Sequence, residues 1–135
     1  MNKERVDANI GKAYDVLKKR NIADEKDVIQ KAYRGQISSF GAAVSSGSLV
    51  SAIAFFSDKG QSKVDREKLM DALYDLLSDK EKDKIAGNAK NKLFAYVRAK
   101  YERGEIDTVK EEVLDCSIAL KLAMNLYSLA EQEEK

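Results

Sequence analysis

The chain of 135 residues is long enough for one compact domain with a single core. Its 44% apolar and 35% charged residues are typical of globular proteins, and its net charge of +1 indicates no particular partner. The absence of histidine excludes Ser-His-Asp triads, Cys-His nucleophiles and histidine-containing zinc sites. The single cysteine can form neither an internal disulfide nor a four-cysteine metal site, and it fits a reducing cytosol. We therefore expect a cytoplasmic protein without a cofactor that is not an enzyme.

Apolar residues recur at spacings of three and four, and the chain contains no proline, so the sequence predicts helices throughout. Capping signals at Ser48, at Ser78 with Glu81 and at Thr108 with Glu111 mark three helix starts. In chain order we expect helices over about 2–20, 24–45, 48–56, 62–77, 78–103 and 108–130. The longest apolar stretch, residues 49–56, is too short to span a bilayer, so no membrane is expected as a partner.

The last predicted helix carries two apolar stripes, which indicates that other helices surround it. Val113, Cys116 and Leu120 lie on one of these stripes, so Cys116 is expected to be a core residue with no base to activate it. The sequence thus predicts an all-α fold, a single-domain bundle of five or six helices around a buried C-terminal helix, with no strands. The domain spans residues 1–135, and the acidic tail over 131–135 need not be ordered.

Four carboxylates fall four residues apart along the fourth predicted helix: Glu67, Asp71, Asp75 and Asp79. Such a row could hold a divalent metal or supply an acid–base pair. It could also be a solvated face, because like charges at this spacing cost only tenths of a kcal/mol. No histidine or second carboxylate cluster obviously converges on the row, which favours the solvated face and no metal site.

Small residues cluster over residues 35–48. The stretch 41–48 superficially matches a phosphate-binding loop, but it lacks the lysine and follows a helix instead of a strand. Its small side chains allow close packing of helices inside the protein. Its hydroxyl-rich surface could equally contact a partner protein. The candidate residues of that protein interface are Gly41, Ser45, Ser46 and Ser48.

The segment from residue 84 to residue 100 contains five cations and no acid. On one continuous helix, Lys84 and Arg98 share the face opposite the apolar side, with Lys90 and Lys92 at its rims. Such a face can follow a phosphate backbone, because ammonium and guanidinium groups neutralise phosphates. A lysine-rich solvated face is the alternative interpretation.

Cations also recur seven residues apart on the first predicted helix, at Arg5, Lys12 and Lys19. They are expected to face away from its apolar stripe, so Lys19 is a further candidate for nucleic-acid binding. Neither basic face has aromatic residues interleaved with its cations as base-stacking surfaces do. We therefore expect any binding to be indifferent to base sequence.

Three segments of the chain resemble a known family. Residues 31–34 read KAYR, and an apolar, glycine-containing passage then leads to residues 46–60, which read SGSLVSAIAFFSDKG. Residues 112–120 read EVLDCSIAL, similar to the family's final helix. From about residue 31 to residue 130, the chain resembles the small α-helical subunit of type III-B CRISPR effector complexes, the Cmr complexes.

This resemblance implies a non-enzymatic role in antiviral defence. Copies of such a subunit stack as a minor filament along the effector and help to hold the target strand through its backbone. Base pairing supplies the sequence specificity. Arg34 matches the family's basic position after the tyrosine and joins the nucleic-acid candidates. The implied partners are other effector subunits, further copies of the chain, and guide and target RNA, with no small-molecule substrate. The alternative is a helical adaptor domain that binds a protein through residues 35–48 and binds no nucleic acid.

Overall fold

The computed structural model describes residues 1–60 and 62–131, and this part of the chain forms seven helices and one small sheet. The helices are α1 (Lys3–Lys19), α2 (Lys31–Ser46), α3 (Leu49–Phe56), α4 (Arg66–Leu76), α5 (Lys82–Ala86), α6 (Lys92–Glu102) and α7 (Ile106–Met124). The strands are β1 (Val28–Gln30) and β2 (Ser128–Ala130). The predicted all-α class is confirmed, although there is one helix more than expected.

Helix α7 lies against the core through one of its two predicted apolar stripes. Leu114 and Ile118 of the other stripe are only partly buried and Leu122 is 42% exposed, so the other helices of the described residues do not surround α7 on every side. Val113, Cys116 and Leu120 are completely buried, and the helix packs against α1, α2, α4 and α6. The carboxylate of Asp115 is buried with them and accepts hydrogen bonds from the Arg5 guanidinium at 2.9 Å and from the Asn2 backbone N–H at 3.3 Å. This contact fixes the start of α1 against the middle of α7.

Four of the helices begin at a residue whose side chain accepts a backbone N–H. Asn2 caps α1, Ser48 caps α3, Asp65 caps α4 and Asn91 caps α6. Two predicted capping boxes are not formed. The Ser78 hydroxyl donates a hydrogen bond to Glu112 of α7, and Thr108 lies inside α7.

The prediction that the chain contains no strands is wrong. Strands β1 and β2 pair in parallel, with Ile29 opposite Leu129. The second predicted helix therefore begins only at Lys31, and the last one ends at Met124. At the end of β2, the Lys31 ammonium pairs with Glu131 at 3.3 Å. Residues 132–135 of the predicted acidic tail lie outside the described residues.

The predicted helix over 78–103 is two helices, α5 and α6, separated at Gly87. This glycine has φ 59° and ψ −136°, a backbone conformation that other residues rarely adopt. The backbone N–H of Gly87 still donates to the Asp83 carbonyl, but the chain then leaves the helix axis and begins α6 at Lys92, after the Asn91 cap.

Replacing Gly87 with alanine is expected to lower the free energy of unfolding by about 1–3 kcal/mol, because a side chain is strained at this positive φ. Thermal or urea unfolding measures the change. Gly35→Ala is the matched control: Gly35 is exposed within α2 with no atom near the added methyl group, and the variant should gain about 0.5–1 kcal/mol. Equal stability of the Gly87→Ala variant and the unmodified protein would contradict this description of the junction.

Candidate nucleic-acid interface

The four basic candidates between residues 84 and 98 do not share one helix face, because the helix is interrupted at Gly87. Lys84 lies in α5, Lys90 in the connection, and Lys92 and Arg98 in α6. The expectation of a continuous basic face is therefore wrong. Helices α5 and α6 nevertheless pack against each other, so these cations remain on neighbouring elements.

Lys19 and Lys92 are far apart in the sequence, but both lie within electrostatic reach of one carboxylate. Both act on the carboxylate of Asp83, whose pKa is lowered first by the hydrogen bond donated by the Tyr74 hydroxyl at 2.6 Å. The positive charges of Lys92, Lys82 and Lys19 lower this pKa further. The ion pair of Lys19 with Asp75 at 3.8 Å places the C-terminal end of α1 beside α4, the helix that precedes α5.

The ammonium groups of three lysines in this region are available to a ligand. Lys84, Lys90 and Lys92 are exposed, and within residues 1–60 and 62–131 their side chains form no ion pair or hydrogen bond. Lys19 is also exposed, and its ammonium lies 3.8 Å from Asp75. We name Lys19, Lys84, Lys90 and Lys92 the lysine cluster.

Other cations of the chain are already engaged in holding the fold. Arg20 binds Asp75 through two hydrogen bonds of 2.6 and 2.8 Å, and the Lys82 ammonium donates to three backbone carbonyls at the end of α4. The expectation that Arg5 faces away from the core is wrong, since its guanidinium pairs with the buried Asp115. These groups stabilise helix contacts and are not free to neutralise phosphates.

Two further candidates differ from the lysine cluster. Arg98 is exposed and pairs with Glu102 at 3.2 Å, an arrangement of one helical turn that contributes only about 0.3–0.5 kcal/mol. Arg34 lies on α2, outside the α5–α6 pair, and its Nε is buried without a hydrogen-bond partner in the described part of the chain.

The small-residue segment does not form a single surface. A methyl group added to Gly41 would lie 3.6 Å from the Ser117 hydroxyl of α7, so Gly41 serves close packing of α2 on α7. Ser45 borders a groove of about 410 Å³ beside Leu114. Ser46 donates to the Ala42 carbonyl, and Ser48 caps α3. All three serines are exposed, so they remain available to a partner.

Two aromatic side chains beside Arg98, Phe94 and Tyr101, were not among the predicted site residues. Phe94, Arg98 and Tyr101 follow one stripe of α6 and line an open cleft of about 470 Å³, whose opposite wall includes Ser48 of α3. The signal was present in the sequence, because these positions are separated by four and three residues and therefore lie on one side of a helix. The expectation that no aromatic residues accompany the cations is wrong for Arg98.

Residues 6–123 match the model of a protein family described as CRISPR-associated protein (Cas_Cmr5). The chain belongs to this family. The recognition of a Cmr small subunit from residues 31–60 and 112–120 is thereby confirmed. No curated protein and no solved structure matches the chain. Among the described residues of this Cas_Cmr5 family member, none of the helices is both long enough and apolar enough to cross a membrane.

The acidic row of the Cas_Cmr5 chain is divided among different contacts. Asp75 is held by Arg20, and Asp79 lies beyond α4, where it accepts a hydrogen bond from the Tyr96 hydroxyl at 2.9 Å and pairs with Lys100 at 3.4 Å. Asp71 is half-buried and has no ion pair within the described ranges. In the same part of the chain, no three carboxylate or thiol groups are placed to share a metal ion.

Burial raises the pKa of the Asp71 carboxyl, so the folded chain binds this proton more tightly than the unfolded chain does. The contribution of Asp71 to the free energy of unfolding is complete below its pKa in the unfolded chain, about 3.9. It is lost as the pH rises through the higher pKa that Asp71 has in the folded chain. Asp71→Asn is therefore expected to raise the free energy of unfolding at pH 7 and to have little effect at pH 3, as measured by urea unfolding.

Asp75→Asn is the control for that prediction, because Asp75 sits one turn further along α4 and is paired. Losing its charged hydrogen bonds with Arg20 is expected to cost about 1.5–3 kcal/mol at pH 7. Equal destabilisation by the two substitutions would show that Asp71 carries no burial penalty.

Proposed function

We propose that this CRISPR-associated subunit is the non-catalytic small subunit of a type III-B CRISPR-Cas ribonucleoprotein complex in the cytoplasm, with a role in antiviral defence. It stacks with other copies of itself in a minor filament and contacts the target RNA strand through backbone phosphates. The observation that carries this proposal is the lysine cluster, which combines exposed ammonium groups from α1, α5, the α5–α6 connection and α6 in a chain of the Cas_Cmr5 family.

Electrostatics supports contact with a phosphate backbone. Each ammonium that approaches a phosphate releases condensed counterions, so binding gains free energy without reading any base. Three of the four lysines of the cluster can bind a phosphate without losing an ion pair, because Lys84, Lys90 and Lys92 form none in residues 1–60 and 62–131. Arg98 can exchange its weak surface pair with Glu102 for a phosphate at small cost.

The chemistry of the nucleophilic and acidic side chains supports a non-catalytic role. Cys116 is buried and its pKa is raised to about 12, chiefly by desolvation, so it is a thiol at neutral pH. Asp75 and Asp79 are each engaged by cations of neighbouring helices. These groups stabilise the fold and are not poised for proton transfer or attack.

The outer faces of the helices support contacts with other subunits. The groove beside Ser45 is bordered by Met1 and by Leu114 and Ile118 of α7, which are only partly buried within the chain. Ser45, Ser46 and Ser48 present small hydroxyl groups close to it or at the start of α3. A neighbouring subunit could bury these apolar atoms without displacing any part of the core.

The triple substitution of Lys84, Lys90 and Lys92 by alanine tests the proposal in the assembled effector complex. RNA affinity is expected to fall, and the slope of log affinity against log salt should decrease by roughly 2, because each phosphate contact to a single strand contributes about 0.7. Titrations of labelled single-stranded RNA at several salt concentrations measure both quantities.

The double variant Lys18→Ala with Lys31→Ala is the control, because these exposed lysines already pair with Asp27 and Glu131. Its RNA binding should be unchanged, and both variants should unfold within about 0.5 kcal/mol of the unmodified protein. Unchanged binding by the triple variant would reject the lysine cluster. Purification of the native chain with a protein partner but without RNA would favour the adaptor alternative.

A further inference from the structure

A second feature of α6 differs from the lysine cluster in its chemistry. The cleft of about 470 Å³ lies between the N-terminal end of α3 and the stripe of Phe94, Arg98 and Tyr101, and we name it the α3–α6 cleft. A shallower cleft of about 380 Å³ continues along the same helix and shares Phe94, Arg98 and Glu102 with it. Both volumes fall in the range of small-molecule sites, roughly 300–1,000 Å³.

The ring of Tyr101 is unusually open for an aromatic side chain, with 60% of the residue exposed. Phe94 beside it is only partly buried and packs against the edge of the core. Together they offer two ring surfaces next to a guanidinium. This combination suits a flat, electron-rich group, which can stack on an aromatic ring and receive hydrogen bonds from an arginine.

We propose that the α3–α6 cleft binds an unpaired base of single-stranded RNA, stacked on Tyr101 with the Arg98 guanidinium at its edge. The inference rests on the proposed function, because the strand that the lysine cluster holds would supply the base. Stacking on an aromatic ring accepts every base, so the site would add affinity with little sequence preference.

The position of the cleft favours RNA over a peptide. Arg98 lies on the same helix as Lys92 of the lysine cluster, about 9 Å further along the axis and about 120° around it. The opposite wall includes the hydroxyl groups of Ser48 and Ser51 together with Val50. These hydroxyl groups and the charged pair of Arg98 with Glu102 suit a polar strand better than an apolar helix, which needs a continuous hydrophobic groove.

The test compares Tyr101→Leu with Tyr101→Phe in the assembled complex, using oligouridylate as the single-stranded probe. Tyr101 is exposed, so neither change should unfold the subunit. The leucine variant is expected to bind about 5- to 100-fold more weakly, with an unchanged salt slope, because stacking is not ionic. The phenylalanine variant keeps the ring and should bind like the unmodified protein.

Photocrosslinking with 5-iodouridine in the probe gives a second measurement. Mass spectrometry is expected to place a crosslink on Tyr101 or Phe94 in the unmodified complex and to find it lost in the leucine variant. Crosslinks only at other residues would overturn the proposal. Loss of the Tyr101→Leu subunit from the complex would also overturn it, because the cleft would then be a protein interface. If Tyr101→Leu binds RNA normally while the triple lysine variant binds weakly, base binding in the α3–α6 cleft is rejected. The proposed function then remains intact.

Discussion

Helix α7 can be stable only when other helices cover its buried side, because Val113, Cys116 and Leu120 are completely buried along one stripe of it. Its burial also brings the Asp115 carboxylate into the core, where an unpaired charge would be strongly destabilising. Arg5 and the backbone N–H of Asn2 meet that carboxylate and thereby fix α1 on α7. The direction of α1 then carries Lys19 to Asp75 of α4, 3.8 Å from its ammonium.

The same packing divides the cations of the chain into two groups with different roles. One group forms contacts within the fold: Arg5 and Arg20 bind carboxylates, and Lys82 donates to carbonyls at the end of α4. Their charges therefore stabilise the fold. The lysine cluster projects from the elements that these contacts position. A net charge of +1 conceals this division, because the local arrangement of paired and unpaired groups determines where a polyanion can bind.

The sequence was sufficient for the helical class, the buried last helix and the family, because apolar spacing and short motifs are local properties. It was insufficient for β1 and β2, since three-residue strands carry almost no alternation and their pairing joins opposite ends of the chain. The sequence also did not predict the helix break at Gly87, because apolar residues recur with helical spacing on both sides of this glycine although its φ is positive. The spacing of Arg5, Lys12 and Lys19 along the chain also could not predict that Arg5 pairs with a buried carboxylate, because that carboxylate belongs to a distant helix.

Lysine reactivity in the assembled complex tests most directly whether the lysine cluster lies against a nucleic-acid strand. Acylation of amines is measured residue by residue with mass spectrometry, before and after the single-stranded target is added. The account predicts protection of Lys84, Lys90 and Lys92 on addition of RNA, with no change at Lys18, whose ammonium is paired with Asp27. Equal reactivity of all four lysines with and without RNA would contradict it.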